Sequence, residues 1–124
     1  MADRRKGMPL ILDMQKIAYA VEVSTRPEPK LKDLRTREQK VDRVSQLPMW
    51  TTDVTVKTEH YGAQVISVTT VGQSAPQVSL GDLVEVVDLE ALPWTNVDDK
   101  GNTRSGVAFK ATELRPLNVS AVAA

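Results

Sequence analysis

The chain of 124 residues contains no cysteine. That excludes a disulfide framework, a thiol nucleophile and any metal site built on thiolates. Histidine occurs once, at His60 beside the Tyr61-Gly62 turn. It has no partner at a spacing that would mark a catalytic dyad, and it reads as a solvated turn residue. Aromatic residues make up only 4% of the chain, which is sparse for a protein that coats single strands by stacking. No apolar run approaches the roughly 20 residues needed to cross a bilayer. Met8 to Leu12 is too short for the apolar core of a signal peptide. No phosphate-binding loop, dinucleotide fingerprint or nucleophile elbow occurs. The carboxylates Asp82, Glu85, Asp88 and Glu90 are strung along a strand and its flanks. Asp98-Asp99-Lys100-Gly101-Asn102 lacks the alternating ligands and terminal glutamate of a calcium loop, so it reads as a solvated hairpin tip. These absences lead us to expect a cytoplasmic protein that is not an enzyme, with no metal, no cofactor and no membrane partner.

What is present is a single domain's worth of chain, long enough to bury a core without staples. Its net charge is zero but unevenly distributed. Residues 1–43 hold 11 basic and 7 acidic residues and residues 44–124 hold 5 and 9, so +4 is balanced by −4. Such asymmetry marks either a basic arm or loop that meets an acidic polymer, or a solvated mixed-charge surface.

Alternation identifies the strands. Ile17, Tyr19, Val21 and Val23 share one side of a first strand. Met49 to Thr58 alternates Trp50, Thr52, Val54 and Val56 against polar neighbours and is rich in β-branched residues, so it reads as a second. Glu59 to Gly62 turns the chain into a third, Ala63 to Val71. Leu83 to Leu89 and Ser105 to Leu114 supply the fourth and fifth. The region Ser24 to Leu47 has no β pattern. Pro27 and Pro29 favour an extended start, and Leu31, Leu34, Glu38 and Val41 would share one face of a short helix; otherwise it is a long loop. The expected fold is therefore all-β, a small five-stranded OB-like barrel or a highly curved antiparallel sheet with a long basic first loop. Residues 15–117 form the domain, between a flexible basic arm at 1–14 and a flexible tail at 118–124.

An OB-fold grips oligonucleotides with the face across its second and third strands and with its first and fourth loops. Here the first loop carries Arg35, Arg37, Lys40 and Arg43, with Arg26, Lys30 and Lys32, against four acidic residues. The fourth carries Trp94, Lys100 and Arg104. Lys57 and Tyr61 stand at the hairpin between strands two and three, where Tyr61 is placed to stack on a base. Cations neutralise phosphates, and an exposed ring is worth about 1 to 3 kcal/mol per stacked base. Trp50 is in phase with Val54 and Val56, so it is either a core residue or a stacking one. Trp94 either caps one end of the barrel or stands exposed, and Phe109, alternating with Val107 and Ala111, reads as core.

Four stretches resemble one family: Pro27 to Leu31, Lys40 to Trp50, Asp88 to Trp94 and Arg104 to Ala111. The family is a set of small actinobacterial proteins of Streptomyces-type conjugative plasmids and integrative elements, similar to activators of plasmid replication, integration and excision. The resemblance implies a regulatory protein of a mobile element and defines no catalytic or DNA-contacting residues. The chain departs from the family pattern at Val44-Ser45-Gln46, where a Thr-Gly turn is expected before Leu47-Pro48-Met49-Trp50. Together these features predict an accessory protein that binds DNA, single strands by preference. The alternative is an interaction module that docks onto a replication, transfer or recombination protein without touching DNA.

Overall fold

The computed structural model describes residues 3–6 and 8–117, the first of these by backbone course alone. In chain order its elements are β1 (Asp3–Lys6), β2 (Leu10–Leu12), α1 (Met14–Ile17), β3 (Ala20–Val23), β4 (Glu28–Pro29), β5 (Leu31–Asp33) and β6 (Glu38–Gln39). There follow β7 (Met49–Thr58), β8 (Gly62–Val71), β9 (Val84–Val87), β10 (Leu89–Val97), β11 (Thr103–Lys110) and β12 (Glu113–Pro116). The protein is thus nearly all β, as its alternation predicts.

The longest hairpin organises the rest. β7 and β8 pair antiparallel from Met49↔Val71 to Thr58↔Gly62 without a slip. Gly62 closes the turn at φ 68, a left-handed backbone that a side chain disfavours. The Thr58 hydroxyl accepts from the Tyr61 N–H and donates to the Gly62 carbonyl, both at 2.9 Å. Because side chains alternate, Thr52, Val54, Val56 and Thr58 all face inward and are buried. Val54 and Val56 join Val21 and Val23 of β3, Val84 and Val86 of β9, Leu89 and Leu114 in one core cluster. The core is built mostly of valine, whose branched side chain fits a pleated surface with little rotamer loss.

β3, β7 and β8 form a meander, and β8 then pairs parallel with β11 at Val68↔Phe109 and Thr69↔Lys110. β11 runs antiparallel to β10, whose other side takes β1 and β2. This mixed sheet has eight strands, with β4 added beside β7. β9 and β10 are one course bent at Asp88, which adopts φ 52, and β11 and β12 bend with them at Ala111-Thr112. An aspartate tolerates that backbone better than most residues.

Several expectations change. The sheet is mixed rather than antiparallel, because the β8–β11 contact is parallel, and it does not close into a barrel. Its free edge, β3, touches the start of β9 at the single bridge Glu22↔Leu83. The first strand begins at Ala20, not Ile17, since Asp13 caps α1 by accepting from the Gln15 N–H. Residues 3–6 and 10–12, expected in a flexible arm, pair with β10. Met1, Ala2, Gly7 and the tail at 118–124 lie outside the described residues. The helix that Leu31, Leu34, Glu38 and Val41 would have shared is instead the β5–β6 hairpin. Leu34 is 81% exposed at its turn, so the helical spacing had no face to bury.

Candidate nucleic-acid interface

The basic first loop is a built protrusion. Lys40 N–H donates to the Lys30 carbonyl at 2.7 Å, and Lys30 and Met49 N–H groups donate to the Met49 and Lys40 carbonyls at 3.0 and 2.9 Å. Those bonds stitch the base of the β5–β6 hairpin to the start of β7. At its tip Asp33 accepts from the Arg35 N–H at 2.8 Å, and Arg37 takes a left-handed φ of 59. A second turn follows, in which the Asp42 carboxylate accepts from the Ser45 N–H and hydroxyl, each at 2.9 Å. The Ser45 backbone bond, then its hydroxyl, hold the Asp42 carboxyl below the usual carboxylate range. Lys110, 3.9 Å away, adds to the effect. Gln46 closes this turn at φ 62 and ties its amide to the Arg43 carbonyl at 2.9 Å. The Val44-Ser45-Gln46 tract therefore makes a tight turn without a glycine.

Arg35, Arg37, Lys40 and Arg43 are all exposed on this protrusion, and so is Lys32. None of the five enters an ion pair among the described residues. The remaining candidates stand elsewhere. β7 spans ten residues, so its Thr58 end lies about 30 Å from the protrusion. There Tyr61 is 76% exposed, edge-on to the His60 ring at a centroid distance of 6.5 Å. Lys57 faces outward beside it but pairs with Glu22 at 3.7 Å. The parallel β8–β11 register carries the tip between β10 and β11 to this same end, so Lys100 and Arg104, both exposed, share it with Tyr61. Asp98 builds that tip by accepting from the Asn102 and Lys100 N–H groups at 2.8 and 2.9 Å. The Asn102 bond is the main reason its carboxyl sits below the usual range. The first and fourth loops thus hold cations at opposite ends of the sheet and do not converge.

Both tryptophans have structural partners. Trp50 is half-buried in the core phase of β7, and its indole N–H donates to the Gly72 carbonyl at 2.9 Å. Trp94 sits directly across from Gly106 and lies against it. A Cβ at Gly106 would come within 2.8 Å of the indole, so only glycine admits the ring there. Phe109 packs on the core cluster, whereas Val107 of the same strand is 52% exposed.

The outward face of β7 and β8 carries Thr51, Asp53, Thr55, Ser67 and Thr69. Its hydroxyls are engaged in pairs: Ser24 with Thr55, and Ser67 donating to Asp53. Lys30 Nζ, hidden from the sequence reading among the loop cations, donates to Thr69 at 2.9 Å. The face holds no aromatic ring. Among the described residues no group of three or more His, Asp or Glu side chains could hold a metal ion, and no helix is long and apolar enough to cross a membrane. No family model, curated protein or solved structure matches the chain.

Proposed function

We propose that the chain is a non-enzymatic accessory or regulatory protein of a conjugative plasmid or integrative element, contacting DNA through the basic protrusion of an open, OB-like sheet. The observation that carries this reading is the clustering of Lys32, Arg35, Arg37, Lys40 and Arg43, exposed and without ion-pair partners among the described residues. Five such cations on one protrusion, the β5–β6 hairpin and the turn that follows it, are an electrostatic footprint for phosphates. The strand order supports the OB-like part. A three-stranded meander joins the last strand in parallel, that strand pairs antiparallel with the fourth, and the fourth returns to the first at the Glu22–Leu83 bridge. Single strands are the favoured ligand, since the four-residue α1 is no recognition helix for a major groove.

Binding of this kind is positional, with little base reading. Anisotropy titrations with labelled single- and double-stranded 20-mers test it. With about four phosphates neutralised, single-strand affinity should fall about 50-fold between about 50 and 200 mM salt. Arg35→Glu, Arg37→Glu, Lys40→Glu and Arg43→Glu together should abolish binding and leave the circular dichroism unchanged. Absence of binding at low salt sinks the reading. One observation favours the alternative, docking onto a replication, transfer or recombination protein: the β7–β8 face offers bases nothing to stack on. A quadruple variant that retains regulatory activity would select it.

A further inference from the structure

The flat side chains of this protein are two tryptophans, two tyrosines, one phenylalanine and one histidine, and they fall into two groups. Trp50 donates its indole N–H to Gly72, Trp94 lies on Gly106, and Phe109 packs on the core cluster. The other three face solvent: Tyr19 is 69% exposed, Tyr61 76%, and His60 is exposed between them in sequence. All three line a single cleft of about 450 Å³, at the end of the sheet away from the basic protrusion. Among the described residues the only contact between rings is that of His60 with Tyr61, so the Tyr19 ring stands apart from both.

The backbone under these rings is fixed. Ala18 N–H donates to the Met14 carbonyl at 2.9 Å and ends α1, and Tyr19 N–H then donates to the Lys57 carbonyl at 3.0 Å. Those two bonds tie Tyr19 beside the end of β7. Tyr61 N–H donates to the Thr58 hydroxyl at 2.9 Å, within the turn that Gly62 closes. The His60 ring meets Tyr61 edge-on, with the planes at 76°, a contact that leaves Tyr61 an open face. A tyrosine has only two side-chain torsions, so a flat ligand that settles on an anchored one costs little ordering.

Charge and lining narrow the occupant. One cation, Lys16, and one carboxylate, Glu59, line the cleft, so it attracts by its ring faces rather than by a field. Its aliphatic lining is limited to Ile17 and Ala18, which gives the side chains of a peptide little to fill. We propose that the cleft holds nucleobases of a single strand, stacked on Tyr61 and Tyr19, with the Lys16 ammonium on the adjoining phosphate. The inference rests on the single-strand reading for its class of ligand and adds where the bases go. They sit about 30 Å from the protrusion's cations, at the far end of β7, rather than on the β7–β8 face that has no ring. Two tyrosines and a histidine hold one or two bases, which anchors a strand without coating it.

The test follows the tyrosine and histidine ring signals of the full chain by NMR as the dinucleotide d(ApA) is added. Expected are saturable upfield shifts of the Tyr19 and Tyr61 ring protons. With one phosphate neutralised, affinity should fall by no more than about threefold between about 50 and 200 mM salt. Tyr19→Leu and Tyr61→Leu should each cost about fivefold, and Tyr61→Phe less than about twofold, since the ring and not the hydroxyl does the stacking. The combined Arg35→Glu, Arg37→Glu, Lys40→Glu and Arg43→Glu variant should bind d(ApA) as the unaltered chain does. Ring shifts in a chain whose 20-mer binding ignores those four substitutions would uphold the cleft and sink the protrusion. Protrusion-dependent 20-mer binding that leaves the rings unshifted would do the reverse. Absence of shifts with d(ApA), equal shifts from deoxyribose phosphate, which lacks a base, or shifts from an apolar peptide alone would overturn the proposal.

Discussion

Two hairpins of this molecule are held by different forces. β7–β8 pairs ten residues on ten and buries every second side chain of β7 from Thr52 onward. β5–β6 pairs two positions across a bulge and buries none of its residues. It keeps its shape through backbone hydrogen bonds to Met49 and Lys40, through Asp33 as an acceptor and the left-handed Arg37, and the turn after it is held by Asp42 and the left-handed Gln46. The long hairpin supplies stability and the short one displays charge. None of the displayed cations belongs to the core cluster, so their identity can change without disturbing it.

The largest effect that would break this contrast lies in the core. Val54 is fully buried, and Val54→Ala removes two methyl groups and leaves a cavity, so it should cost about 2 kcal/mol in urea unfolding. Leu34→Ala, at the tip of the short hairpin, should change stability by no more than about 0.5 kcal/mol. Equal losses at the two sites would mean that the β5–β6 hairpin packs on something the contrast leaves out.

The same division explains what could be read from the sequence. Trp50, Thr52, Val54 and Val56 announced their strand because one face is buried and the other wet, the condition under which a period of two survives. The short hairpin has no buried face, so Leu31, Leu34, Glu38 and Val41 mimicked a helix by spacing alone. α1 went unread, with only its last residue Ile17 counted into the first strand, because four residues cannot show a 3.6-residue period. Its only signal was Asp13, an N-cap that capping chemistry would have flagged. The loop cations were legible as composition. Their distance from Lys100 and Arg104 was not, since it follows from the parallel register of β8 on β11, a long-range pairing. Trp94 stayed undecided for the same reason, because its partner Gly106 is set by cross-strand register.

A smaller effect of opposite sign sharpens the contrast. Gln46 holds φ 62, a backbone that costs a residue with a Cβ about 1 kcal/mol relative to glycine. Gln46→Gly gives up only the amide bond to the exposed Arg43 carbonyl. It should raise stability by about 0.5 to 1 kcal/mol in the same urea titration. A loss would show that the Gln46 amide bond, rather than backbone strain, decides this turn.

The smallest effect is a pH response confined to one of the two regions. Asp42 accepts two bonds from Ser45, and its carboxyl is held below the usual range chiefly by the Ser45 N–H. A carboxyl with a lowered folded-state pKa binds its proton less readily folded than unfolded. Its stabilisation is complete above the unfolded-state value and drains away as pH falls through the lower folded-state value. Ser45 should therefore keep its amide protection down to the ordinary carboxylate range and lose it only below. Asp42→Asn should remove that acid dependence without altering protection at Val54, whose surroundings are apolar. Asp98 carries the same sign at the tip between β10 and β11, through its bonds from Asn102 and Lys100. It serves as the internal reference: acid should still loosen that tip when Asp42 is neutralised. Loss of protection at Ser45, Asn102 and Val54 in a single step would show that the two regions unfold together, and the separation of stability from charge display would then be wrong.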